Sequence, residues 1–440
     1  MKKTNMKTFL MRHEKPICLA LQCGLCMVVI LRLLMVYMNG IYPDARVFVD
    51  TANLIRQGIN PYTGGFGDHA IQAPTMSILA MPLCFCTKNA RNTVMFVLGA
   101  VSFILYCLMA FRAYGFGCRQ CVAPRWRHLP IWFVLACLFI SSPISGMLRI
   151  GQNSSIAAVL LFAALLHPSR DNGPNVLFLG LSAAVKYSLM TMLAPVLVLQ
   201  KRWKMSLLAF GLFAIMLLCL GFWVDNVFLV LRDYVTMCAK STTGGGNSYN
   251  VHAFYFLSIG FLKIAPLNSL LKYSLLVMYV CALVRIWRGG DKTGEIGFPG
   301  HLTATDWGLL TVITMLVSYH RIQDAILFMP FIGIMFLESF YEVLDGRLNS
   351  RAVSRSLVLL ALVVFWTLPS SMVFAAGSWI GKRFPGGERY FFYTDDAVGG
   401  FYHIFPLMPC VLLAMAVFFF WLEFRGDDRK PQDRMLQVEG

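Results

Sequence analysis

Charge is what this 440-residue sequence has least of. Only 14% of its residues are Asp, Glu, Lys or Arg, where a soluble domain carries about 25%. Acidic residues are the scarcer sign, 22 against 38 Lys and Arg. In their place stand 35 Phe, 24 Met and a 58% hydrophobic content, with mean hydropathy +0.64. The shortage of charge excludes an ordinary cytosolic enzyme and a disordered chain. The strict alternation of apolar and polar residues that marks an outer-membrane barrel is also missing. Fixed-period repeats, low-complexity tracts and an internal domain boundary are absent as well. What remains is an all-α, polytopic membrane protein in one integral domain over 1–440, because helices satisfy their own backbone in lipid.

The net charge of +16 does not point to nucleic acid, because the basic residues stand in short stretches between apolar runs. The 13 Cys lie mostly inside those runs, where they act as small hydrophobes. Cys118 and Cys121 form a single CxxC with no second pair nearby, too few ligands for zinc. No metal or other cofactor is expected.

A span needs about 20 apolar residues. Crossings are expected at Pro16–Met38, Thr93–Phe111, Pro130–Leu148, Ser154–Leu166, Met205–Val224, Leu267–Trp287, Trp307–Tyr319, Ala325–Phe340, Ser356–Ala376 and Phe401–Phe424. Pro74–Cys86, interrupted by Pro82, is expected not to cross. Val176–Leu199, with Lys186 in its middle, reads as two half-helices that enter and return. No cleavable signal is expected, since the apolar run after the basic Met1–Lys15 is too long. With these crossings, Lys and Arg favour one side by roughly two to one, which places both termini in the cytoplasm. The outer loops are then Gly40–Gln72, Arg149–Asn153, Asp225–Pro266, Tyr319–Asp324 and Gly377–Gly400.

The first outer loop predicts an amphipathic helix at the membrane surface, with Val47, Phe48, Thr51, Leu54 and Ile55 at helical spacing. Gly58 stops it and Asn60-Pro61-Tyr62 turns the chain. Asp44 stands at or near its N-cap, either as a capping carboxylate or as a base offered at the surface. Arg149-Ile-Gly151-Gln152-Asn153-Ser154 joins two apolar runs, and it either caps the next helix or hydrogen-bonds a sugar. Lys186 carries a charge whose burial in lipid costs several kcal/mol unless it reaches water or an anion. His320, Arg321 and Asp324 lie between two apolar runs, as an Arg321–Asp324 hairpin pair or as a phosphate site suited to the arginine fork. Asp395-Asp396 reads as a solvated loop, because neighbouring side chains on extended backbone point in opposite directions. Together these residues suggest a membrane cavity with a carboxylate at its rim and cations within. A lipid-linked phosphate donor fits such a site. A transporter or flippase for a lipid-linked or anionic substrate is the alternative, as broken helices and a buried Lys occur there too.

The order Asp44, Gly58, Asn60-Pro61-Tyr62, then Pro74 and Pro82, Gly151-Gln152-Asn153, Gly180 to Lys186, and Lys201-Arg202-Trp203 resembles glycosyltransferase family 87. The outer hairpin Tyr319-His320-Arg321, Asp324 and Pro330 is similar to that of many members. The resemblance covers roughly 16–205, leaving 206–440 as a variable C-terminal half. Members commonly carry Tyr-Pro-Pro where this chain has Gln72-Ala73-Pro74-Thr75. The resemblance implies a GT-C fold and an inverting transfer of a sugar, mannose first, from a polyprenyl-phosphate donor to a glycan or glycolipid acceptor. It implies Asp44 as general base, with Asp50 the alternative. Lys186, His320 and Arg321 are the expected donor-phosphate contacts. Asp50, Asn60, Tyr62, Arg149, Gln152, Asn153 and Asp324 are the expected substrate contacts. The implied setting is a bacterial inner membrane with the site on the extracytoplasmic side.

Overall fold

The structure is a computed structural model. It describes residues 14–63, 73–114, 129–166, 173–186, 195–197, 202–243, 265–290, 302–317, 322–344, 350–368 and 407–424, with Met372 and Arg383. Among these residues there is helix and no strand. The helices are α1 (Glu14–Met38), α2 (Pro43–Arg56), α3 (Pro74–Ala80), α4 (Lys88–Ala113), α5 (Leu129–Ile140), α6 (Ser142–Ile150), α7 (Ser154–Leu166) and α8 (Gly173–Val185). They continue as α9 (Trp203–Leu218), α10 (Val227–Thr243), α11 (Ala265–Gly290), α12 (Ala304–Val317), α13 (Met329–Leu344), α14 (Ser350–Thr367) and α15 (Leu407–Phe424). Three 3₁₀ segments, Met81–Phe85, Cys219–Phe222 and Ile322–Leu327, extend or introduce their neighbours.

Among the described residues, four segments are long and apolar enough to cross a membrane: Pro16–Met38, Lys88–Ala113, Trp203–Phe222 and Ser350–Thr367. The bent pair α5–α6 makes a fifth if it is one span. Over the expected crossing Pro130–Leu148 the chain turns by 44° between Ile140 and Ser142. Ser141 there is extended, and Pro143 opens the next helix. Proline fits the first turn of a helix, where its missing N–H costs nothing, and fits no interior position. The expected crossing Ala325–Phe340 likewise starts as the 3₁₀ segment Ile322–Leu327 before α13 begins at Met329. Pro74–Phe85, Ser154–Leu165, Gly173–Val185, Ala304–Leu316 and Val411–Phe424 are apolar helices of 10–17 residues. Thirteen residues rise only about 20 Å, short of the ~30 Å hydrocarbon layer.

The main core gathers α4, α7 and α8 on one side and α12, α13 and α15 on the other. Trp307 stacks on Phe331 at 5.8 Å, and both rings pack on Phe162. Buried serines stitch the helices through backbone carbonyls: Ser155 Oγ donates to Gly99 O at 3.0 Å and Ser182 Oγ to Ala157 O at 2.8 Å. Small residues and interhelical hydroxyl bonds are how helices associate where lipid gives no hydrophobic drive. Away from this core, Arg285 of α11 is ion-paired with Asp306 of α12 and Glu423 of α15. Thr303 Oγ1 lies 3.0 Å from the second oxygen of Asp306 and 3.3 Å from that of Glu423, and Thr303 N donates to the former at 2.8 Å. These charges clamp three helices together in a buried position that a single unpaired charge would not tolerate.

Candidate functional site

Helix α2 is amphipathic as the spacing predicts, but its buried stripe runs differently from the apolar count. Asp44, Phe48, Thr51 and Ile55 are buried, whereas Val47 and Leu54 are only half-buried. These buried positions follow i, i+4, i+7 and i+11, one face of a helix. Asp44 therefore lies on the inner face and is 6% exposed. Asp50 stands on the other face, where Arg46 donates to it at 3.2 Å with a side chain 76% exposed. The structure thus separates the two carboxylates that the sequence offers as bases. At the far end, Gly58 at φ +77° closes α2 with Gly58 N to Ile55 O and Ile59 N to Leu54 O, both 2.9 Å. That paired closure needs a left-handed residue, which glycine adopts without strain.

The N-terminus of α2 is fixed by its docking on the end of α6. Ile41 N and Tyr42 N both donate to Arg149 O, at 3.1 and 3.0 Å. Arg149 Nε in turn donates to Asn39 O at 3.1 Å. Tyr42 takes a left-handed conformation, φ 47° and ψ 44°, directly before Pro43. Such backbone strain in a non-glycine residue costs about 1–3 kcal/mol and persists only where surroundings enforce it. Tyr42 is buried, which pushes its phenol up to about 12 and keeps it a neutral donor, to Tyr37 O at 3.3 Å. Gly151 ends α6 at φ +71°, and a Cβ there would sit 2.9 Å from Ala45 Cβ. The Gly151 backbone therefore lies against the turn that holds Asp44.

From Gly151 the chain leads straight into a polar cluster. Asn153 Nδ2 donates to Val185 O at 2.9 Å, and Thr75 Oγ1 donates to Ala184 O at 2.7 Å. Two elements thus satisfy the open carbonyls at the end of α8, which every helix leaves orphaned. Lys186 follows immediately. Its Nζ donates to Asp324 Oδ1 at 2.5 Å and to Ser154 Oγ at 2.9 Å. Ser154 Oγ also donates to Asp324 Oδ1. The Lys186 side chain is 17% exposed and that of Asp324 1%. A helix C-terminus favours a cation, so the α8 dipole and Asp324 both stabilise the ammonium. Of its three N–H groups, one has no partner among the described residues. Gln152 is buried, and its Oε1 has no hydrogen-bond partner among the described residues.

The structure therefore brings Asp44, Arg149, Gln152, Asn153, Lys186 and Asp324 to one connected region. It takes Asn60 and Tyr62 to the opposite end of α2. There Asn60 Nδ2 donates to Asp233 Oδ2 at 3.0 Å, and Tyr62 packs on Tyr234 at 5.2 Å between ring centres. These contacts anchor the loop to α10. His320, Arg321, Cys118, Cys121, Asp395 and Asp396 lie outside the described residues. Sequence reasoning reads Ser154 only as a possible cap and gives Thr75 no role. It does not pair Lys186 with Asp324, 138 positions away. A signal for that pair did exist: a lysine within an apolar run needs an anion, and acids flanked by apolar runs are few. Among the described residues no group of three or more His, Cys, Asp or Glu is placed to hold a metal ion.

The family model described as glycosyltransferase family 87 matches residues 72–305. Neither a curated protein nor a solved structure matches the chain.

Proposed function

Since this chain belongs to glycosyltransferase family 87, we propose that it moves a sugar, mannose first, from a polyprenyl-phosphate donor to an extracytoplasmic glycan or glycolipid, with Asp44 as general base. The family makes it a glycosyltransferase; the donor, the acceptor and the base are our reading. One observation carries it. The first turn of the helix that buries Asp44 packs on Gly151 through Tyr42 and Ala45, and the next three residues after Gly151 lead to a lysine at a helix end.

In this reading Asp44 accepts the proton of an acceptor hydroxyl as its oxygen attacks the anomeric carbon. The bond to the prenyl phosphate breaks on the opposite face, and the phosphate leaves with the electron pair. Lys186, steadied by Asp324 and Ser154, offers its remaining N–H to that phosphate as charge develops on it. His320 and Arg321 add further cationic contacts. The unpartnered Gln152 Oε1 receives a sugar hydroxyl, and Asn153 and Arg149 complete the wall. Asp50, Asn60 and Tyr62 contribute at the loop surface. About ten crossings are kept, with Pro74–Cys86 and Val176–Leu199 not among them, and both termini are cytoplasmic in a bacterial inner membrane.

The test is Asp44→Asn, which keeps shape and hydrogen bonding but removes the base. Transfer of label from polyprenyl-phosphate [³H]mannose to membrane glycan should fall by on the order of 10²–10⁴-fold with expression and insertion unchanged. Near-normal transfer by that variant removes Asp44 from the chemistry.

A further inference from the structure

Helix α1 presents most of its surface outward. Leu19, Met27, Val28, Ile30, Leu31, Leu34 and Met35 are all exposed, in a segment long and apolar enough to cross a membrane. Arg32 stands among them. It lies six residues before Met38, so about 9 Å of helix rise separates it from the end of the span. A guanidinium at that depth is costly unless it is paired. Arg32 forms no ion pair among the described residues. Its Nε donates to Ser145 Oγ of α6 at 3.2 Å. Ser145 is itself buried. Arginine carries five N–H donors, and those on both terminal nitrogens have no protein acceptor among the described residues. The serine holds the fork between α1 and α6, with Arg32 half-buried and Leu31, Leu34 and Met35 beside it exposed.

We propose that Arg32, oriented by Ser145, is a binding site for a lipid-borne phosphate, separate from the Lys186 cluster. The planar fork matches two phosphate oxygens. The apolar flank, with Leu31, Leu34 and Met35, admits alkyl or prenyl chains and not a water-soluble anion. An extended arginine spans most of the distance to the headgroup level, as basic side chains near helix ends do. The consequence reaches the site. Ser145 and Arg149 are i, i+4 neighbours on α6, and α6 ends at Gly151 beneath Asp44. A phosphate bridging α1 and α6 braces the helix that carries that loop. The inference stands whether or not the donor is a prenyl phosphate.

The experiment is native mass spectrometry of the full-length protein in mild detergent, titrated with four probes: short-chain phosphatidylglycerol, farnesyl phosphate, dioctanoylglycerol and inorganic phosphate. The wild type should retain at least one phosphate lipid and not dioctanoylglycerol. Arg32→Leu removes a charge from a span and does not hinder insertion. It should weaken retention about tenfold or more, and Ser145→Ala severalfold. Lys186→Ala, at the proposed donor site, should leave phosphatidylglycerol retention as in the wild type, which separates this site from the transfer reading. On the Lys186→Ala background, the lipid whose retention falls further with Arg32→Leu names the source: phosphatidylglycerol a bilayer lipid, farnesyl phosphate a prenyl carrier. The proposal is overturned if Arg32→Leu binds both lipids as the wild type does, if dioctanoylglycerol binds equally well, or if inorganic phosphate competes as strongly as either lipid.

Discussion

The pairing of Lys186 with Asp324 permits a test that separates scaffold from chemistry. Asp324 is 1% exposed and Lys186 17%. Replacing Lys186 by Met takes the ammonium away from a buried carboxylate. Removing one partner of a buried ion pair costs about 3–5 kcal/mol. Lys186→Met should fall at the upper end, because the Asp324 side chain is the more deeply buried of the two. Asp324→Leu should fall at the lower end, because the partly exposed lysine can move its head outward. The double variant Lys186→Met/Asp324→Leu leaves no charge stranded and should return to within about 1 kcal/mol of the wild type. Thermal unfolding in detergent, followed by intrinsic tryptophan fluorescence, reads these stabilities as a double-mutant cycle. The same preparations are assayed for transfer from polyprenyl-phosphate [³H]mannose. Stability should recover in the double variant while transfer does not, since the donor phosphate has lost its lysine. Recovery of both would refute the donor role and leave the pair a purely structural clamp.

Other outcomes follow from the same geometry. Asp50→Asn should transfer at the wild-type rate and lose no more than about 0.5 kcal/mol, because its pair with Arg46 is a solvent-exposed i, i+4 contact; a loss of transfer comparable to that of Asp44→Asn would reassign the base. Gly151→Ala forces a Cβ to 2.9 Å from Ala45 at φ +71°. That should cost about 1–3 kcal/mol and lower kcat by displacing the first turn of α2, read by unfolding and initial rates together. Gln152→Leu should raise the KM for the sugar-bearing donor or the acceptor with little change in stability, since the amide oxygen has no hydrogen-bond partner among the described residues. An unchanged KM for both substrates would remove Gln152 from the site.

The amphipathic pattern over Val47–Ile55, the stop at Gly58 and the start of α7 at Ser154 are local properties, and each is found where the sequence places it. Lys186 is likewise legible as an anomaly, because a cation in an apolar run demands an anion wherever the chain goes. The bend at Ser141 is less legible. Pro143 signals a helix start, but the apolar composition on both sides hides the break. The identity of the anion is legible only as one of the few acids flanked by apolar runs. Asp324 lies beside Arg321 in sequence, which suggests a local pair, yet the fold delivers it to Lys186 and Ser154.

Composition and hydropathy alone determine that this is a helical membrane protein, because burial in lipid is a matter of how much apolar surface each segment carries. The order of short motifs also places it beside its family. What composition cannot contain is which carboxylate faces inward. Asp44 and Asp50 differ by six positions on one helix, and only the docking of that helix on Arg149 and Gly151 turns the first towards the interior and leaves the second to solvent and Arg46. That choice arises from contacts between segments about a hundred residues apart, which no local pattern encodes.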